Sequence, residues 1–119
     1  MNQSLESFGD CEIRTIAFDH PNIMIKLFDS TNVEFYVLLF SDISFMRMDC
    51  DYSQVVLDKL VVYDNIAEAK SDQFARDVCD RLKIDMSAPE LGNRKISILA
   101  GIVGGDLVIA SANVVNKKD

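Results

Sequence analysis

The sequence predicts an α+β protein: an antiparallel β-meander sheet with one amphipathic helix at about 71–83 packed on it, and a C-terminal β-hairpin. Three observations carry that expectation. Four β-rich apolar runs follow one another at short spacing, at residues 11–18, 23–28, 33–40 and 43–48. The segment SDQFARDVCDRLK has helical periodicity. The chain closes with two apolar runs, 95–102 and 107–115, on either side of Val103-Gly104-Gly105-Asp106, the pattern of a hairpin.

The early runs are separated by Asp19-His20-Pro21-Asn22, by Asp29-Ser30-Thr31-Asn32 and by Ser41-Asp42, all turn-forming residues, so they read as consecutive antiparallel strands. In the second run Ile23, Ile25 and Leu27 share a face. The third sets Val33, Phe35, Val37 and Leu39 against Glu34, Tyr36, Leu38 and Phe40. Its second face begins polar and ends apolar, so the far end of that strand needs cover on both sides.

The helix would supply that cover. Ser71 can N-cap it, Asp72 complements the dipole, and Phe74, Val78 and Leu82 form a stripe with Ala75 and Cys79 beside it. Arg81 and Lys83 fall at its C-terminal end, and 66–70 would add a turn ahead of it. Residues 55–63, VVLDKLVVY, suit a buried strand or a helical segment, and their β-branched content favours the strand. The stretch MSAPELGNR reads as a loop.

A chain of 119 residues fits a single domain, 1–119, with 1–10 as a polar lead-in and 116–119 as a frayed charged tail. Hydrophobic residues at 49% exclude a disordered composition. A net charge of -7 argues against a nucleic-acid or anionic-membrane partner, which would need clustered Lys and Arg. MNQSLESFGD lacks the basic and apolar regions of a signal peptide, and the apolar runs are strand-sized. Cys11, Cys50 and Cys79 are odd in number and form no CxxC, so a cytoplasmic protein without a disulfide framework or zinc site is expected.

Motifs of chemistry fail one after another. His20 is the only histidine and lies in a turn. Asp49-Cys50-Asp51-Tyr52-Ser53 opens like a calcium loop, but Gln54 stands where glycine is needed and Leu60 where a bidentate carboxylate is needed. Gly101-Ile102-Val103-Gly104-Gly105 has neither GxGxxG nor GK[ST] and reads as hairpin geometry. No GxSxG or SxxK occurs. The expectation is therefore a non-enzymatic protein with no catalytic residue, no metal ligand and no cofactor.

The charge is unevenly spread. From Asp49 to Asp80 there are eight acids against three bases. Within that window Asp49, Asp51, Tyr52, Asp58, Tyr63 and Asp64 are the candidate partner-binding residues: the acids would steer a basic protein and the tyrosines would anchor it. A solvated acidic face is the plainer reading of the same residues.

The opening pattern, Asp10-Cys11-Glu12-Ile13 through Phe18-Asp19, then IMIKLFD, VEFYVLLF and Asp42-Ile43-Ser44-Phe45, resembles the first sheet of small bacterial β-rich domains. Several of those are assigned as immunity proteins of polymorphic toxin systems. The resemblance spans residues 10–49 and rests on strand patterning. It implies a non-enzymatic protein that masks a toxin and carries over no contact residue; the acidic Asp49 to Asp80 segment would make that toxin a basic one. Two other expectations stand beside it. One is a self-associating structural domain forming a homodimer, motivated by the two-sided apolar character of 38–40 and the 55–63 run. The other is a small-ligand-binding domain, which would need a concave pocket with convergent polar groups.

Overall fold

The longest element is a 17-residue strand, Glu34–Cys50, and the other strands assemble on it. The computed structural model describes residues 3–4, 11–50, 56–103 and 105–118. In chain order the elements are β1 (Gln3–Ser4), β2 (Glu12–Asp19), β3 (Asn22–Asp29), β4 (Glu34–Cys50), β5 (Val56–Tyr63), α1 (Ile66–Ser71), α2 (Gln73–Arg81), a 3-10 turn at Pro89–Leu91, β6 (Lys95–Val103) and β7 (Gly105–Lys118). An antiparallel sheet with two short helices is the α+β class that the strand runs and the helical stripe predict. Residues 95–118 form the expected hairpin, with Ala100 opposite Asp106.

The meander holds through β2, β3 and β4, but its expected fourth strand is the second half of β4. Ser41-Asp42 does not reverse the chain. Asp42 takes a left-handed φ of 56°, a conformation Asp tolerates better than most residues, and the strand bends there and continues. The bend is held from outside: Asp42 N–H donates to Asn22 Oδ1 (3.1 Å), and Arg94 Nη1 donates to the Asp42 carbonyl (2.7 Å) and carboxylate (2.9 Å). Strand β7 pairs with both halves of β4, from Tyr36 opposite Lys118 to Cys50 opposite Gly105. The charged end of the chain is thereby strand: Asn116, Lys117 and Lys118 lie opposite Leu38, Val37 and Tyr36.

The strand order is β1-β5-β2-β3-β4-β7-β6, and β5 also pairs with β6, so the sheet closes on itself. Closure at the β2–β5 seam is narrow, with Glu12 opposite Val56 and Leu57 N–H donating to the Cys11 carbonyl (2.8 Å). Ile23, Ile25 and Leu27 point inward as their spacing predicts, and meet Leu38, Phe40, Leu57, Leu60, Leu99, Leu107 and Ile109 in the first core. On β4 the inward set is therefore the Leu38–Phe40 side.

A second core lies on the outer face of β5, β6 and β7. There Val61, Tyr63, Ile96, Ile98, Val108 and Ala110 meet Ala69, Ala75, Val78, Cys79 and Leu82 of the helical segment. The helical stripe is as the sequence predicts, but two features differ. The helix is broken in two, because Asp72 is extended (φ -104°, ψ 123°) and serves as C-cap of α1 and N-cap of α2. Its side chain accepts from Phe74 N–H (3.2 Å) and from the Tyr63 hydroxyl (2.7 Å), whereas Ser71, the expected cap, donates to the Glu68 carbonyl. The helices also cover β5–β7 and not the β3–β4 face.

On the outer β2–β3–β4 face, long cationic side chains do part of the covering. The Phe28 and Phe35 rings are 4.9 Å apart; the Arg14 guanidinium sits 4.5 Å from one and the Lys26 ammonium 4.8 Å from the other.

Three substitutions follow from this packing. Val33 has φ 52° and is 75% exposed, a left-handed conformation costly for a β-branched residue; Val33→Asn should raise stability by about 1 kcal/mol in a denaturant melt. Ser97 Oγ is buried with no hydrogen-bond partner among the described residues; Ser97→Ala should stabilise by roughly 1 kcal/mol in the same measurement. Asp72→Ala removes an N-cap and strands the buried Tyr63 hydroxyl, so it should cost about 2–3 kcal/mol, with Asp72→Asn, whose amide can still cap, recovering part of that loss.

Candidate functional site

The expected partner-binding residues do not form one patch. Asp49, at the end of β4, is exposed, as is Asp58 on β5. These two fall at the same end of the sheet: Lys59 lies opposite Ala100, Ala100 opposite Asp106 and Asp106 opposite Asp49. At ordinary strand spacing the row from Lys59 to Asp49 spans about 14 Å. Asp64 is also exposed but belongs to the far end of β5, about 20 Å from Asp58 at the strand rise. There its carboxylate accepts from Lys95 Nζ (3.3 Å). Asp51 and Tyr52 lie outside the described residues.

Tyr63 is a correction. It is fully buried in the second core, beneath the α1–α2 junction, and its hydroxyl donates to Asp72. Burial, and then the neighbouring carboxylate, push its phenol well above the ordinary tyrosine range. A side chain so placed anchors the helices and offers nothing to a partner.

The fold adds residues to the acidic end that sequence reasoning did not pick out. Helix α2 crosses the row: Lys59 Nζ lies 4.5 Å from the Phe74 ring, and Arg81 Nη2 reaches Asp106 Oδ2 at 3.2 Å. Its exposed side carries Asp77 and Asp80. Beside it is a recess of about 390 Å³ lined by Gln73, Arg76, Asp77, Asp80, Ile84 and Met86. Its rim carries Asp77, which accepts from Gln73 Nε2 (2.6 Å), and Asp80 alongside the cationic Arg76, and its wall is apolar; a Lys or Arg side chain that buries its stem there would present its charge to the two carboxylates. Asp106 was legible only as part of the Gly-Gly-Asp turn; no pattern in the sequence states that it faces Asp49.

A second recess, of about 280 Å³, is lined by Phe18, His20, Pro21, Ile43, Phe45 and Met46. Two polar neighbours there are engaged elsewhere, Asn22 Oδ1 with Asp42 N–H and the Ser44 hydroxyl with the Glu90 carbonyl. His20 adds one polar group, short of a convergent set for a small ligand. Among the described residues no group of three or more His, Cys, Asp or Glu is arranged to hold a metal, and no helix is long and apolar enough to cross a membrane.

Fold and surface together define a small α+β protein with an acidic, helix-bordered end. No family model matches the chain, and no curated protein or solved structure shows significant similarity to it.

Proposed function

We propose that this protein is a non-enzymatic binding module for a basic protein, of immunity or antitoxin type, and that it engages its partner through the acidic end bordered by α2. The observation that supports this reading is the recess beside α2, whose Asp77 and Asp80 rim stands next to Ile84 and Met86. A cationic side chain of the partner enters it, and the exposed Asp58 adds negative charge at the same end of the sheet as Asp49. Masking of a toxin then follows from occlusion: a domain docked over a basic active-site surface excludes the substrate. Charge of this kind acts chiefly on encounter rate and specificity. The location of the surface differs from the sequence expectation, since Asp64 lies at the other end of β5 and Tyr63 is internal.

The test is affinity capture from the native host by the tagged protein and by its Asp77→Lys/Asp80→Lys variant. The wild type should recover one basic protein stoichiometrically. Association of that purified protein with the variant should be slower by roughly tenfold or more, with a flattened salt dependence. Equal on-rates for the two forms would remove the acidic end from the mechanism.

A further inference from the structure

The closed sheet leaves one strand edge suited to a second copy of itself. Strand β3 pairs with β4 only as far as Ile23 opposite Phe40. Past that point Ile43 N–H donates to the Pro21 carbonyl (2.7 Å), and among the described residues no further strand pairs with that edge of β4 from Ser44 to Asp49. Exposed backbone edges of this kind are templates for pairing unless they are blunted.

Among the described residues the edge of β1 is two residues long, and the open edges of β7 and β2 are blunted. Beyond Ser111, β7 has no β6 partner, but it carries the exposed Lys117, and a lysine on an open edge discourages pairing. The outer edge of β2 carries a register shift between Ile13 and Thr15, which bends it. The β4 edge has a register shift of its own, between Ile43 and Phe45, but beyond it carries Arg47 and Asp49, opposite charges two residues apart on one face and both exposed, so that stretch is complementary to a second copy of itself.

Asp49 is also left with an unfavourable neighbour. It lies directly opposite Asp106 on β7, and the Arg81 ion pair goes to Asp106. Asp49 itself makes no hydrogen bond or ion pair among the described residues, and like charges across a ladder are destabilising. Arg47 is held in place, donating to the Leu82 carbonyl (2.8 Å) at the end of α2, which leaves further guanidinium N–H groups for another acceptor.

We infer that the protein self-associates through antiparallel pairing of two β4 edges about a two-fold axis at Met48, with Arg47 of each copy opposite the partner's Asp49. The two-fold operation creates the contact twice, supplies each Asp49 with a cation and extends the β5-β6-β7-β4 side of the sheet across the dimer. The length of edge available is short, so the dimer is of the weak or exchanging kind and not an obligate one. It shares Asp49 with the acidic row but uses neither Asp77 nor Asp80, so the self-association measurement and the partner-binding measurement are read separately.

The test is sedimentation equilibrium of the wild type from about 1 µM to about 1 mM, the range over which a weak dimer dissociates. The wild type should show a monomer–dimer equilibrium. Asp49→Arg and Arg47→Glu, each checked for folding by circular dichroism, should each weaken it by roughly tenfold or more. An equimolar mixture of the two variants should restore dimers: across the axis the two introduced charges, opposite in sign, face each other in one contact, and the native Arg47 and Asp49 meet in the other. Should Arg47→Glu fail to fold for want of its bond to Leu82, the series Asp49→Asn and Asp49→Arg should weaken the dimer progressively. A wild type that stays monomeric across the range, variants that dimerise as well as the wild type, or a mixture that stays dissociated would each overturn the inference.

Discussion

The ladder between β4 and β7 is the constraint on which the remainder of this structure depends. It runs from Tyr36 opposite Lys118 to Cys50 opposite Gly105, longer than any other pairing in the sheet. Because it continues past Asp42 through a register shift between Ile43 and Phe45, its first half can pair with β3 while its second half carries β7 toward β6 and β5. Two cores lie on the two faces of the sheet, separated by strand alternation. One lies inside the closed sheet, where Leu38 and Phe40 meet Leu107 and Ile109; the other lies outside it, where Val108 and Ala110 receive the helices.

The helical layer depends on a smaller device. Asp72 satisfies the start of α2, closes α1 and receives the buried Tyr63 hydroxyl, so a single carboxylate ties helix geometry to β5. Arg47 makes a matching tie at the other end of α2, through the Leu82 carbonyl. Cation placement at a helix C-terminus is favourable in itself, and here it also fixes the direction in which α2 crosses the sheet. That crossing brings Asp77, Asp80 and Arg81 over the row that contains Asp106 and Asp49. Fold and candidate surface thus share the same few residues.

The candidate surface was legible only in part. The local excess of acids between Asp49 and Asp80 is a property of composition and needs no structure to be seen. Which of those acids share a surface depends on strand direction and register. Asp58 and Asp64 are six residues apart and sit at opposite ends of β5; Asp49 and Asp106 are far apart in the chain and face each other. Tyr63 reads as an amphipathic residue among acids, yet it lies at the one strand end that the helix junction covers.

The sequence by itself determined the class, most of the strands and the helical stripe, because those rest on local rules: alternation in Ile23, Ile25 and Leu27, turn chemistry at Asp19-His20-Pro21-Asn22, and the i, i+4 spacing of Phe74, Val78 and Leu82. Only the tertiary structure decided that Ser41-Asp42 is a bend inside one strand, that Asp72 and not Ser71 divides and caps the helices, and that the helices cover β5–β7. In each case the local preference was shared between two outcomes. An Asp suits a turn or a left-handed bend, and Ser and Asp both cap helices. The choice fell to contacts distant in the chain: Arg94 and Asn22 at Asp42, Tyr63 at Asp72, and β7 along the whole of β4.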